Sequence, residues 1–111
     1  MKYLKTYETH EEINNIPSIG DYVIIKKTNK EEIFNFITTN IGKIVSVDIP
    51  FDEITVNYTD IPPEFEQYFI LNYGKYGEKH YNKIFPISYI KYIAKTEEEL
   101  QLKINVQKYN I

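Results

Sequence analysis

Residues 73–83 interleave Tyr73, Tyr76, His80 and Tyr81 with Lys75, Lys79 and Lys83. Aromatic rings alternating with ammonium groups can stack on nucleobases and follow a phosphate backbone. The same mixture suits a protein interface, where Tyr supplies contact area at low entropic cost. It also fits a Tyr-rich rim with no partner, since the chain carries 11 Tyr. Charge sharpens the pattern. Residues 48–70 contain Asp48, Asp52, Glu53, Asp60, Glu64 and Glu66 with no Lys, and residues 71–95 contain five Lys against Glu78 alone. Such a split makes a dipolar surface for a partner, or two blocks that offset each other across a solvated face. The partner surface read from these residues is Tyr73, Tyr76, Lys79, His80, Tyr81 and Lys83, with an acidic rim at Asp60 and Glu64.

Catalytic chemistry has less to build on. Cysteine is absent, which removes disulfides, thiolate metal sites and thiol nucleophiles. Ser18, Ser46 and Ser88 lie in no nucleophile-elbow context. His10 with Glu8, Glu11 and Glu12 matches no metal-ligand spacing and reads as a solvated turn. A carboxylate pair such as Asp52 and Asp60 needs a cleft that a small barrel seldom forms. The expectation is a protein that is not an enzyme and takes no cofactor and no metal.

The 111 residues are enough for one modest core, and 42% hydrophobic with 26% charged residues place the chain in the globular class. No apolar run is long enough to span a bilayer, and Met1 to Lys5 leads into polar residues instead of a signal-peptide core, so a cytoplasmic protein without a membrane partner is expected. The formal charge of −3 works against bulk attraction to nucleic acid. All 13 basic residues are Lys, and without Arg there is no planar fork to read guanine edges. Abundant Ile, Asn, Lys and Tyr beside a single Ala94 are what AT-rich codons supply.

The elements that must hold these residues are mostly strands. Asp21 to Lys27 and Ile41 to Val47 each follow a Gly-containing turn signal and run into β-branched residues. Four consecutive apolar residues, Tyr22 to Ile25, predict a strand buried on more than one side. Gly42 predicts a bulge or a close backbone approach. Glu53 to Tyr58 alternates as a third strand, His80 to Phe85 reads as a fourth and Ser88 to Lys95 as a fifth. Between them, Lys30 to Ile37 and Pro63 to Phe69 have helical spacing, the second opened by proline. Leu71 to Lys79, with Gly74 and Gly77, reads as a surface loop. Thr96 with Glu99 forms a capping box ahead of a terminal helix from Glu97 to about Lys108, although Leu102, Ile104 and Val106 also allow a strand. Tyr3 to Tyr7 reads as an extended arm and Glu11 to Asn14 as a helical turn. The expected fold is mainly β with short helices (α+β), in one domain with an arm at 1–18, a five-stranded barrel at 19–95 and a helix at 96–111.

With those strands placed, Gly20-Asp21-x-Val23-x-Ile25, Gly42-Lys43-Ile44-x-x-Val47 and Ile54-x-Val56-x-Tyr58 resemble the start of Src-homology-3-like barrels, the KOW and CAP-Gly types being nearest. The helix at Lys30 to Ile37 is an insertion relative to the short KOW loop. The layout Gly20 to Val23, Asn40 to Ile44, Tyr58, Ile61-Pro62, Phe69 and Lys95 to Leu100 also resembles uncharacterised small proteins of phages and large DNA viruses. The viral resemblance implies an origin in a virus or mobile element and no known activity; the expected function is a non-enzymatic protein-binding module, an accessory protein acting on a host protein in the host cytoplasm or in the virus particle. A KOW-like binder of RNA or single-stranded DNA is the second reading, and self-assembly as a homodimer through an edge strand the third.

Overall fold

The computed structural model describes residues 16–109. Six strands form one antiparallel sheet: β1 (Tyr22–Ile25), β2 (Gly42–Asp48), β3 (Glu53–Tyr58), β4 (Ile70–Tyr73), β5 (Lys79–Pro86) and β6 (Ile90–Ala94). Their order is β4-β5-β3-β2-β1-β6, and no ladder joins β4 to β6 among the described residues, so the sheet is open. Two α-helices accompany it, α1 (Phe34–Thr39) and α2 (Glu97–Tyr109), with 3₁₀ turns at Glu31–Ile33, Ile49–Phe51, Pro63–Tyr68 and Ile87–Tyr89. The α+β class expected from the sequence is what the molecule shows. Among the described residues the sheet has six strands and is open, where a five-stranded barrel was expected.

β1 explains how a small sheet holds two apolar layers. Its side chains alternate, so Val23 and Ile25 enter the main core with Ile44, Ile54, Val56 and Phe85. Ile24 points the other way, into a second cluster with Ala94 and Leu100. The unbroken run Tyr22 to Ile25 is therefore a strand covered on both faces, as its composition predicts. Leu100 is the anchor of α2 on that outer layer, and burying a leucine of this kind is worth about 2 kcal/mol.

The capping box opens α2. The Glu99 N–H donates to Thr96 Oγ1 at 3.1 Å, and Glu99 Oε1 accepts the Lys95 N–H at 3.2 Å, one residue earlier than in the usual box. Helix wins over strand because Leu100 and Ile104, at i and i+4, both pack onto the cluster at β1 and β6.

The other departures have local causes. The segment expected as a helix over Lys30 to Ile37 divides into a 3₁₀ turn and α1, since Lys30 at its head makes no side-chain cap and the first turn tightens. Thr38 and Thr39 close α1 by donating to the carbonyls of Phe34 and Asn35 at 2.9 and 2.6 Å. Pro63 to Phe69 is 3₁₀ over Pro63–Tyr68, beginning at a proline with no capping side chain. The fifth expected strand starts later than Ser88, because Pro86 leads into the turn Ile87–Tyr89. Leu71 to Lys79 is not a loop throughout: Ile70–Tyr73 pairs with β5 from Ile70↔Asn82 to Tyr73↔Lys79. Gly74 and Gly77 are the turn of this hairpin, with the Gly74 N–H bonded to the Glu78 carbonyl at 2.7 Å and Gly77 at φ +84°. The arm at Tyr3 to Tyr7, the turn at Glu11 to Asn14 and the His10 cluster lie outside the described residues.

Candidate functional site

The β4–β5 hairpin is the edge of the sheet, and it carries most of the aromatic and basic residues singled out above. Tyr73 at the end of β4 is 66% exposed and Tyr76 at the tip is 86% exposed. Lys79 is exposed beside them, and the Lys75 ammonium lies 5.9 Å from the Tyr76 ring centroid. All four β4 residues are exposed, and among the described residues β5 is their only strand neighbour.

Glu78 fixes the shape of the tip. Its Oε1 accepts the Tyr76 N–H at 3.1 Å and its Oε2 lies 3.2 Å from His80 Nε2. The bond from its own backbone N–H, then the bond to His80, hold this carboxyl below the usual carboxylate range. A Cβ on Gly74 would collide with that carboxylate, so glycine there leaves room for the brace.

His80 joins Tyr73, Tyr76 and Lys79 on the hairpin through Glu78, whereas Tyr81, Lys83, Asp60 and Glu64 do not. Tyr81 is 5% exposed and turned inward, its hydroxyl donating to Glu66 Oε2 at 3.0 Å, and burial pushes its phenol upward. Lys83 is half-buried opposite Val56, donates to the Tyr68 carbonyl at 3.2 Å and lies 5.9 Å from the Phe69 ring. Burial first, and the Lys30 charge second, pull its ammonium below the ordinary lysine range. Along β5 the period of two puts Tyr81, Lys83 and Phe85 on the inner face, while Lys79 of the same series lies at the hairpin end of the strand and is exposed. Asp60 and Glu64 are exposed, Asp60 after β3 and Glu64 in the first turn of Pro63–Tyr68. Among the described residues, the ion pairs are Lys95 with Asp21 and His80 with Glu78, so neither joins the acidic block 48–70 to the lysines that follow it.

A second feature drew on residues that sequence reading missed. A cleft of about 580 Å³ opens between the end of α1, the end of β3, β6 and α2. Ile24, Phe36, Ile41, Tyr58, Tyr92 and Ile104 supply its apolar lining, and they come from five separate segments whose meeting no local spacing announces. Tyr58 is 2% exposed, its hydroxyl has no hydrogen-bond partner among the described residues, and burial pushes its phenol far above the ordinary tyrosine range. Phe36 and Phe69 meet its ring edge-on at 5.7 and 5.8 Å. No group of three or more His, Asp or Glu side chains converges on a metal-sized site among the described residues.

Comparison with protein-family models, with curated proteins and with solved structures finds no match to this chain.

Proposed function

We propose that the protein is a non-catalytic protein-binding module that receives an extended segment of its partner along the free edge of β4. The observation that carries this reading is the edge itself: every residue of Ile70–Tyr73 is exposed, the strand is paired on one side only among the described residues, and it contains neither Lys nor Pro to discourage strand addition. Main-chain hydrogen bonds supply the affinity in this mode, and Tyr73 and Tyr76 supply flanking aromatic area. Lys75 and Lys79 favour a partner segment of acidic character.

The finer fold reading is a Src-homology-3-like barrel with an added strand. The run β6-β1-β2-β3-β5, with a 3₁₀ turn before the last strand, supports it, and β4 is the addition. Origin in a virus or mobile element, with action on a host protein or in the virus particle, rests on the sequence layout and the AT-rich composition. A KOW-like nucleic-acid binder draws less support, since Tyr81 and Lys83 face inward and leave few cations beside the exposed rings.

The test is affinity capture from host lysate with the wild-type chain, Ile70→Lys and Tyr76→Ala, run with nuclease and at high salt. A protein retained by the wild type through both treatments and lost at least tenfold by Ile70→Lys is the expected result. Equal retention by both variants overturns the edge-strand reading. Capture abolished by nuclease favours the nucleic-acid binder, and a concentration-dependent dimer lost in Ile70→Lys favours self-assembly.

A further inference from the structure

The cleft beside Tyr58 shares no lining residue with the β4–β5 hairpin, and its chemistry is different. Its volume falls in the range of small-molecule sites, about 300–1,000 Å³. Buried and half-buried side chains, Ile24, Phe36, Tyr58 and Tyr92 among them, supply the apolar lining, while Asn40, Asp60, Glu97 and Gln101 are exposed at the rim.

Much of the polar lining presents acceptors, with Thr59, Gln101 and Lys91 carrying the exposed donors. The Thr38 and Thr39 hydroxyls give their protons to carbonyls of α1, and Asn40 Nδ2 donates to the Phe36 carbonyl at 2.9 Å and to Thr39 Oγ1 at 3.3 Å. What these groups still present is oxygen: hydroxyl lone pairs and the Asn40 side-chain carbonyl. Asp60 and Glu97 add two carboxylates, which accept only. Lys91 is the one opposing cation in the lining, and its ammonium already lies 5.4 Å from the Tyr92 ring centroid.

One donor in the wall has the opposite need. The Tyr58 hydroxyl is buried, protonated and without an acceptor among the described residues, an arrangement that is unfavourable when left unmet. A Cβ on Gly42 would stand 3.0 Å from Tyr58 Cζ, so the phenol tip reaches the turn Asn40-Ile41-Gly42, part of which lines the cleft.

We propose that this cleft binds a small arylalkylamine carrying a hydrogen-bond-accepting oxygen at the end of the molecule opposite its ammonium. The ammonium sits at the rim on Asp60 and Glu97, where charge-assisted bonds are strongest. The aromatic body lies among Phe36, Tyr58 and Tyr92, whose ring edges and faces favour it. The oxygen receives the Tyr58 hydroxyl proton in a hydrogen bond, reached by a small outward shift of the Asn40-Ile41-Gly42 turn. No bond is made or broken, and the site is one of binding.

Titration of the isotope-labelled full chain with tyramine, followed by amide chemical shifts, tests the proposal. Saturable shifts confined to residues 38–42, 58–60, 92 and 97–101 are expected. The double variant Asp60→Asn, Glu97→Gln raises Kd about tenfold, in line with loss of a charge-assisted contact. Tyr58→Phe raises Kd several-fold while keeping the fold, and 4-hydroxyphenylacetate, with its charge reversed, gives no saturable shift. Absent or scattered shifts with tyramine overturn the proposal, as do equal shifts with the carboxylate or a Kd unchanged in both variants. Ile70→Lys leaves tyramine binding intact, which separates this site from the edge of β4.

Discussion

The Lys95 ammonium lies 2.9 Å from Asp21 Oδ1, joining the residue before β1 to the residue after β6. Asp21 is 4% exposed, and its second oxygen accepts the Ser18 N–H at 2.9 Å. One carboxylate thus holds the entry turn, where Gly20 sits at φ +98°, to the exit of the last strand. Asp21→Ala removes both bonds and leaves the Ser18 N–H without its partner. A loss of about 1–3 kcal/mol follows, read as a lower urea midpoint with an unchanged slope. Lys95→Ala has a smaller effect, because the ammonium is largely solvated and Asp21 keeps its bond to Ser18.

Gly42 gives a sharper steric test. It is buried at the head of β2, and a Cβ there would overlap Val56 Cγ1 on the neighbouring strand and crowd the Tyr58 ring. Both neighbours belong to the main core, so neither swings into solvent to make room. Gly42→Ala therefore destabilises by about 1–3 kcal/mol, and thermal unfolding measures it. Gly20→Ala meets no atom within 4 Å and is destabilising for a separate reason, its positive φ.

Residues whose neighbours are local or alternate cleanly were legible in the sequence. Ile54, Val56 and Tyr58 alternate inward along β3 as their spacing predicts, and Thr96 with Glu99 marks the start of α2. Gly42 is a close approach, as one of its two readings holds, while the bulge of β2 falls between Ile44 and Ser46. The hairpin at β4 was obscured because Ile70 to Tyr73 is short and exposed at every position, so it has none of the burial pattern that announces a strand. Tyr81 and Lys83 looked like surface residues by type. Their orientation is set by pairing with Tyr58 and Val56 across β3, a register that charge and aromaticity do not encode.

Tyr58 predicts an unusual gain. In a buried site a hydroxyl without a partner is a penalty that phenylalanine does not carry, and the ring contacts with Phe36 and Phe69 survive the change. Tyr58→Phe accordingly raises stability by about 1 kcal/mol in the ligand-free protein, seen as a higher melting temperature. The contrasting substitution, Tyr81→Phe, breaks the bond to Glu66 and lowers stability.

Glu78 makes the hairpin tip sensitive to acid. Its carboxyl titrates below its unfolded value, so the bonds it makes stabilise the tip above the ordinary carboxylate range and are lost as pH falls through the depressed value. Protonation weakens the hold on the Tyr76 N–H and on His80, two side-chain contacts that brace the turn beside its backbone bonds at Gly74. Amide exchange at Tyr76 and Gly77 should therefore exceed the intrinsic acid-pH trend below that value, while exchange in β3 follows the global stability. Glu78→Gln abolishes the step, since the amide carries no titrating proton. A step that persists in Glu78→Gln would assign it to another carboxylate, and a wild-type profile with no step would mean that the Glu78 bonds do not hold the tip.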